Sequence, residues 1–392
     1  MVNEPATQMA GEQAGLYIHI PFCSAICPYC DFAVQRSDPA SHQQFIESFR
    51  AEVERWRDWT IPFDTIYLGG GTPSALRPVE LAAMLECVRG QLPVAAGARL
   101  HLEVNPEDVT PVTVRDWKAL GVHMLSMGVQ SFDDAELRTL GRRHTGAQAR
   151  AAVERCIEAD FHTLSVDLIF GLPEQTAQSL QGSLDVIRDL TPSHVSCYQL
   201  TVHEGTTFGR WRDQGRLQEM PEDDQAARFW QLQSSLASAG LHAYEVSNYA
   251  RGDLHRSAHN QKYWQHQPYL GLGPSAHSFD GQCRWWNTRA LRDYVSQLNI
   301  GASPIADTET LSTEDLALEM VMLGIRTVDG INLTRFHERF GYRLESVNSE
   351  LLSALVRDGY LLPDPYWIRP TAAGLAVADG LAAEFQLRSD GD

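Results

Sequence analysis

The chain has 392 residues, 43% of them apolar, which is ample for a large buried core and suits one large domain with a smaller one. Its 32 basic and 50 acidic side chains give a formal net charge of −18, which disfavours nucleic-acid phosphates and anionic membrane surfaces as partners. No apolar run approaches the ~20 residues of a membrane-spanning helix, and residues 1–15 lack the basic start and apolar stretch of a signal peptide, so a cytoplasmic protein with a flexible N-terminus over 1–15 is expected.

From residue 16 to 247, strand-like and helix-like segments alternate. Strands are predicted at 16–20, 65–68, 100–104, 123–128, 164–170 and 195–200, with helices at 41–56, 79–89, 113–119, 148–159 and 177–188 between them. A β-then-α rhythm implies a parallel sheet with right-handed crossovers, and hence an α/β fold. The strands run out at Pro21, Gly69, Asn105, Gln130, Gly171 and Thr201. Ligand sites in such folds gather at the carboxyl ends of the strands, so these residues point to a barrel with one functional mouth.

A further helix at 221–239 leads to a strand at 243–247. The segment 248–311 is rich in aromatic residues and glycine and reads as a linker region. Residues 312–392 become short and mainly helical, with helices at 313–324, 334–340 and 344–358, a hairpin at 360–369 and a last helix at 371–384. That order resembles a winged helix, but seven arginines and no lysine stand against thirteen acidic residues, which argues against DNA binding.

Seven cysteines, an odd number in a chain without a secretion signal, argue against a disulfide framework. Cys87, Cys156, Cys197 and Cys283 are scattered and read as small core residues. Cys23, Cys27 and Cys30 sit together directly after the first strand, spaced Cys-x3-Cys-x2-Cys. A cubane iron–sulfur cluster normally takes four thiolates; three leave one iron open to an outside ligand. Zinc is the alternative, weakened by the lack of an adjacent histidine, and three ordinary core cysteines are another. Phe22, Tyr29 and Phe32 would give the cluster a partly dry aromatic shell.

The Cys-x3-Cys-x2-Cys spacing resembles the radical SAM family. That resemblance implies a partial (β/α)6 barrel over 16–247 and a [4Fe–4S] cluster whose open iron chelates S-adenosylmethionine (SAM). An electron from the cluster would then cleave SAM to methionine and a 5′-deoxyadenosyl radical, which calls for an electron donor. The triple glycine Gly69-Gly70-Gly71 with Thr72 is similar to the family's glycine motif for the methionyl amino group, though such a turn is equally a device for tight backbone approach. Glu103 would need a cationic or hydrogen-bonding partner, which the SAM amine or ribose supplies; a structural ion pair is the other reading. Gln130, Arg142 and Asp167, with Tyr17 on the first strand, complete the expected SAM cradle.

Leu16-Tyr17-Ile18-His19-Ile20-Pro21-Phe22-Cys23, Gly-Gly-Gly-Thr-Pro-Ser at 69–74, Glu-Val-Asn-Pro at 103–106 and Gly-Val-Gln-Ser-Phe at 128–132 look like the oxygen-independent coproporphyrinogen III oxidase group. The oxidases carry a fourth cysteine where this chain has Phe32, and a long N-terminal segment where it has 15 residues. His259-Asn260-x-x-Tyr263-Trp264 resembles instead the motif of a heme-chaperone branch. That branch implies heme as bound cargo and heme-accepting apoproteins as partners, those of the respiratory chain among them, and leaves a homodimer open. His259 becomes the candidate iron ligand, with His277 next; packing is the plain alternative for both. Tyr263, Trp264, Tyr269, Trp285 and Trp286 could flank a macrocycle, and Lys262, Arg284 or Arg289 could meet its propionates. Decarboxylation of coproporphyrinogen III is the competing reading, and no catalytic residue is assigned.

Overall fold

The computed structural model describes residues 13–387. Six parallel strands, β1 (Ala14–Ile20), β2 (Phe63–Gly70), β3 (Val94–Val104), β4 (Val122–Gln130), β5 (Thr163–Phe170) and β6 (His194–Gln199), lie side by side in chain order. Helices α1 (Pro39–Arg55), α2 (Pro78–Gln91), α3 (Pro111–Ala119), α4 (Gly146–Glu158) and α5 (Ala177–Leu190) make the crossovers, and α6 (Glu222–Ser238) follows the last strand. The strands were legible because parallel strands are covered on both faces and need near-continuous apolar runs; Leu16, Ile18 and Ile20 on β1 are all fully buried.

Helix α1 shows how local chemistry sets an element. Asp38 caps it by accepting the Ser41 N–H at 2.9 Å, and Pro39 presets the first turn. Phe45, Phe49 and Val53 then recur every four residues and are fully buried in the main core. Helices α4 and α5 start the same way, on Thr145 and Thr176.

The expected linker at 248–311 proves to be sheet. Strand β7 (His242–Glu245) pairs antiparallel with β8 (Asn248–Ala250), which joins the edge beyond β6. After the short helix α7 (Ala258–Trp264) the chain crosses to the opposite edge. There β9 (Tyr269–Leu272) runs parallel to β1, and β10 (His277–Phe279), β11 (Cys283–Asn287) and β12 (Ile305–Thr310) extend the sheet antiparallel, with helix α8 (Leu291–Asn299) between the last two. Among the described residues the sheet has twelve strands and continues past 247 to Thr310. Of the segment expected to be flexible, Ala14 and Gly15 belong to β1 and residues 1–12 lie outside the described residues.

The C-terminal part has its own core around Val321, Ile325, Phe336 and Leu344. It comprises α9 (Thr313–Ile325), α10 (Leu333–Phe340), α11 (Ser349–Arg357) and a small sheet of β13 (Ile331–Asn332), β14 (Leu361–Leu362) and β15 (Trp367–Pro370), as a winged helix requires. The expected last helix divides into Ala372–Ala376 and Ala378–Glu384. Glu319 on α9 accepts Arg284 at 2.7 Å and His266 at 2.9 Å, docking this part against the sheet extension. No helix among the described residues is long and apolar enough to cross a membrane.

Candidate cluster and SAM site

The parallel strands β1–β6 open at their carboxyl ends onto a cavity of about 400 Å³. Cys23, Cys27 and Cys30 line it from the loop after β1. That loop is anchored at both limbs: Gln35 N–H donates to Pro21 O at 2.8 Å, Ser37 N–H to Cys23 O at 2.9 Å, and His19 Nε2 sits 2.9 Å from Ala33 O. A turn within it brings Cys30 N–H to Cys27 O at 3.2 Å. Thr72 Oγ1 reaches the Cys23 sulfur at 3.5 Å, and Arg142 Nη1 reaches that of Cys27 at 3.6 Å. Burial raises the Cys23 thiol, and raises that of Cys30 to about 11, so thiolate ligation would be driven by the metal itself. Among the described residues no three His, Cys, Asp or Glu side chains converge on a single ion. Three thiols on one loop, with Thr72 and Arg142 against two of them, are a donor set that fits a cluster with one open iron.

The triple glycine has a steric cause. A Cβ on Gly71 would lie 2.8–3.0 Å from the backbone of Ile20 and Phe22, and Gly70 has φ +108° with the His19 ring 2.5 Å from any Cβ. Close approach lets Gly71 N–H donate to Ile20 O and Thr72 N–H to Phe22 O, at 2.9 and 2.7 Å, clamping the end of β2 onto the cysteine loop. Gly70 and Gly71 thereby present their backbone to the cavity beside the cysteines.

Glu103 faces the same space. It accepts the Tyr67 hydroxyl at 2.7 Å and Gly70 N–H at 3.2 Å, makes no ion pair among the described residues, and burial pushes its carboxyl up to about 7. An ammonium group entering there would supply the missing charge. Asp167 accepts Ser126 and Ser165 hydroxyls and is pushed by burial to about 6. Arg142 donates to Asn105 Oδ1 at 2.6 Å and Gly128 O at 2.7 Å, and Asn105 donates to Thr72 Oγ1 at 3.1 Å. This chain ties the arginine, the glycine turn and the cysteine loop together. Gln130 holds φ +70°, an uncommon value off glycine, and lines the cavity. Tyr67 and His19 were not singled out in the sequence, although their alternation with buried apolar neighbours along β1 and β2 marks the inward face, and Asn105 was marked only as a strand end.

Other expectations are redistributed. Tyr17 lies outside this cavity and lines a second one, its hydroxyl 3.1 Å from His19 Nδ1. Phe22 points into the core against Phe45, Tyr29 lines the cavity, and Phe32 stands 63% exposed at its rim. His259, the candidate iron ligand, is 1% exposed beneath the barrel against the start of β1. Its Nδ1 is 2.9 Å from Thr65 Oγ1 and its Nε2 is 2.8 Å from the Tyr263 hydroxyl, so neither nitrogen is free for iron. Burial, then Lys262, lowers its pKa to about 3 and keeps it neutral. Lys262 pairs with Asp64 at 2.7 Å and Arg284 with Glu319, while Trp285 stacks on Trp56 and Trp264 meets Tyr244 edge-on. His259→Ala should therefore cost about 1–3 kcal/mol by orphaning two hydroxyls. Thermal denaturation checks this, with the spectrum of any heme complex unmoved.

A parallel β/α sheet with three cysteines at its mouth defines a radical SAM protein, and the Radical SAM superfamily model matches residues 17–187. The HemN C-terminal domain model matches residues 311–377. The chain is 32% identical over 348 residues to the heme chaperone HemW of Bacillus subtilis, covering 88% of this chain and 92% of that one. It is 34% identical over 362 residues to the heme chaperone HemW of Mycobacterium tuberculosis, covering 90% of each. The solved coproporphyrinogen III oxidase HemN of Escherichia coli, a radical SAM enzyme, superposes with a TM-score of 0.83 at 21% identity, over 95% of this chain and 89% of that one; it shares the fold. The chain belongs to the HemW family.

Proposed function

We propose that this chain is a heme chaperone, holding heme and handing it to apoproteins that require it. The observation that carries the reading is its similarity, over about nine-tenths of its length, to relatives named as heme chaperones. Cys23, Cys27 and Cys30 would hold a [4Fe–4S] cluster. Gly70, Gly71, Thr72 and Glu103 would receive the amino end of SAM, Gln130 and Asp167 its ribose, and Arg142 its carboxylate. The cluster, when bound, supplies an open iron for SAM and single electrons from a donor protein. Tyr17 would border the site from the neighbouring cavity. A cytoplasmic location, respiratory-chain acceptors and a homodimer belong to the same proposal.

The test is anaerobic reconstitution followed by hemin titration and a porphyrinogen-turnover assay on one sample. A heme complex without protoporphyrinogen is expected. Turnover would hand the chain to the oxidase reading instead. Phe32→Cys restores the four-cysteine spelling, yet it places the thiol on an exposed rim. The variant is expected to show wild-type iron content and no porphyrinogen turnover, and turnover would mean that one residue separates the two activities.

A further inference from the structure

A second cavity, of about 360 Å³, opens between β1 and the sheet extension β9–β10. It adjoins the first across Asp31, Phe32, Gly70 and Glu103, which line both. We infer that heme seats in this second cavity, with His277 as a ligand to its iron and Arg289 facing a propionate. The inference rests on the heme-chaperone reading and assigns the residues that hold the cargo.

The histidines decide the first half. His19 is held through both ring nitrogens, by Ala33 O and the Tyr17 hydroxyl, and His259 likewise by Thr65 and Tyr263. His277 is exposed on β10 and lines the cavity. One face of its ring stacks on Trp286, with centroids 5.6 Å apart and planes 24° apart. Neither nitrogen has a hydrogen-bond partner among the described residues. An imidazole with a fixed ring plane and uncommitted nitrogens is what iron ligation needs.

The cations decide the second half. Lys262 and Arg284 are spent on Asp64 and Glu319. Arg289 is exposed at the cavity wall, donates to the Asp31 backbone carbonyl and makes no ion pair among the described residues. Its guanidinium fork suits a carboxylate. Glu103 and Asp31 also border the cavity, so a dianionic ligand is turned with its propionates toward Arg289 and away from Glu103. Phe32, 63% exposed, and Tyr269 offer apolar faces to a planar ligand. The cavity lies toward the small end of ligand sites and is open on one side. A macrocycle entering edge-first keeps its other edge in solvent, within reach of an acceptor.

Hemin titration of the full, cluster-loaded chain tests the assignment. His277→Ala and His277→Gln should each weaken binding roughly tenfold or more and shift the Soret band, and added imidazole should restore the band in His277→Ala. Arg289→Ala should weaken hemin binding but leave binding of the hemin dimethyl ester unchanged. Circular dichroism confirms that these exposed substitutions leave the fold intact. If wild-type protein binds no hemin, the chaperone reading falls and this site falls with it. If wild type binds and both His277 variants keep its spectrum and affinity, the site alone is overturned.

Discussion

Cys27→Ser, reconstituted anaerobically with iron and sulfide, is expected to show no [4Fe–4S] signal by electron paramagnetic resonance or Mössbauer spectroscopy. Two thiolates remain, and a serine hydroxyl stays protonated where a thiol would yield to iron. The barrel should persist, because the loop is held by the Pro21, Cys23 and Ala33 carbonyls rather than by the Cys27 sulfur. Far-ultraviolet circular dichroism matching wild type would show this. SAM affinity should fall together with the cluster, since Arg142, Asn105 and Thr72 form one chain of contacts ending on two of the cysteines. Cys87→Ser is the control: Cys87 lies on α2, hydrogen-bonded by Gln91, and its loss should leave iron content unchanged. An intact cluster spectrum in Cys27→Ser would sink the ligand assignment.

The features legible in the sequence are those with a local physical signature. The β-strand runs, the cysteine spacing and the triple glycine each sit within a few residues, and their causes are equally local: coverage on both faces, thiolate ligation, and backbone approach where a Cβ would collide with Ile20 and Phe22. Strands β9–β12 escaped because their reasons are distant. Tyr269–Leu272 is a strand because it pairs with β1, some 250 residues earlier, and three- to six-residue antiparallel neighbours show too few alternations to register. His259 escaped for the same reason. Its motif marks it as notable, but only the packing of α7 under β1 and β2 reveals that Thr65 and Tyr263 already hold the imidazole. Among the basic residues, sequence could name Lys262, Arg284 and Arg289 equally, and only the ion pairs of the first two separate them.

Glu52 shows the cost of that distance most clearly, and its removal should have the largest effect on stability. It lies on α1, where an acid is ordinarily a solvated helix face, yet it is fully buried. It accepts Gly273 N–H at 2.8 Å, the Tyr294 hydroxyl at 2.6 Å and the Asn287 amide at 2.5 Å, thereby fastening α1 to the sheet extension that carries His277. Burial outweighs these donors and lifts its pKa from 4.5 to about 7. A folded-state value above the unfolded one means that its contribution is complete below 4.5 and is lost as pH rises through about 7. Across that window Glu52 should lower the stability of the chain by about 3 kcal/mol. Glu103 and Asp167, raised to about 7 and about 6, slope the same way in the cluster-free chain, so the informative quantity is the difference between wild type and Glu52→Gln. Glu52→Gln keeps an acceptor for the backbone and should flatten its share of the slope. Glu52→Ala orphans three buried donors and should cost about 3–5 kcal/mol at about pH 5, and less above about pH 7, where the wild type has itself lost the Glu52 contribution. Urea unfolding from about pH 5 to pH 8 measures both; parallel pH profiles for wild type and Glu52→Gln would show that Glu52 is ionised throughout and that hydrogen bonding, not burial, governs it.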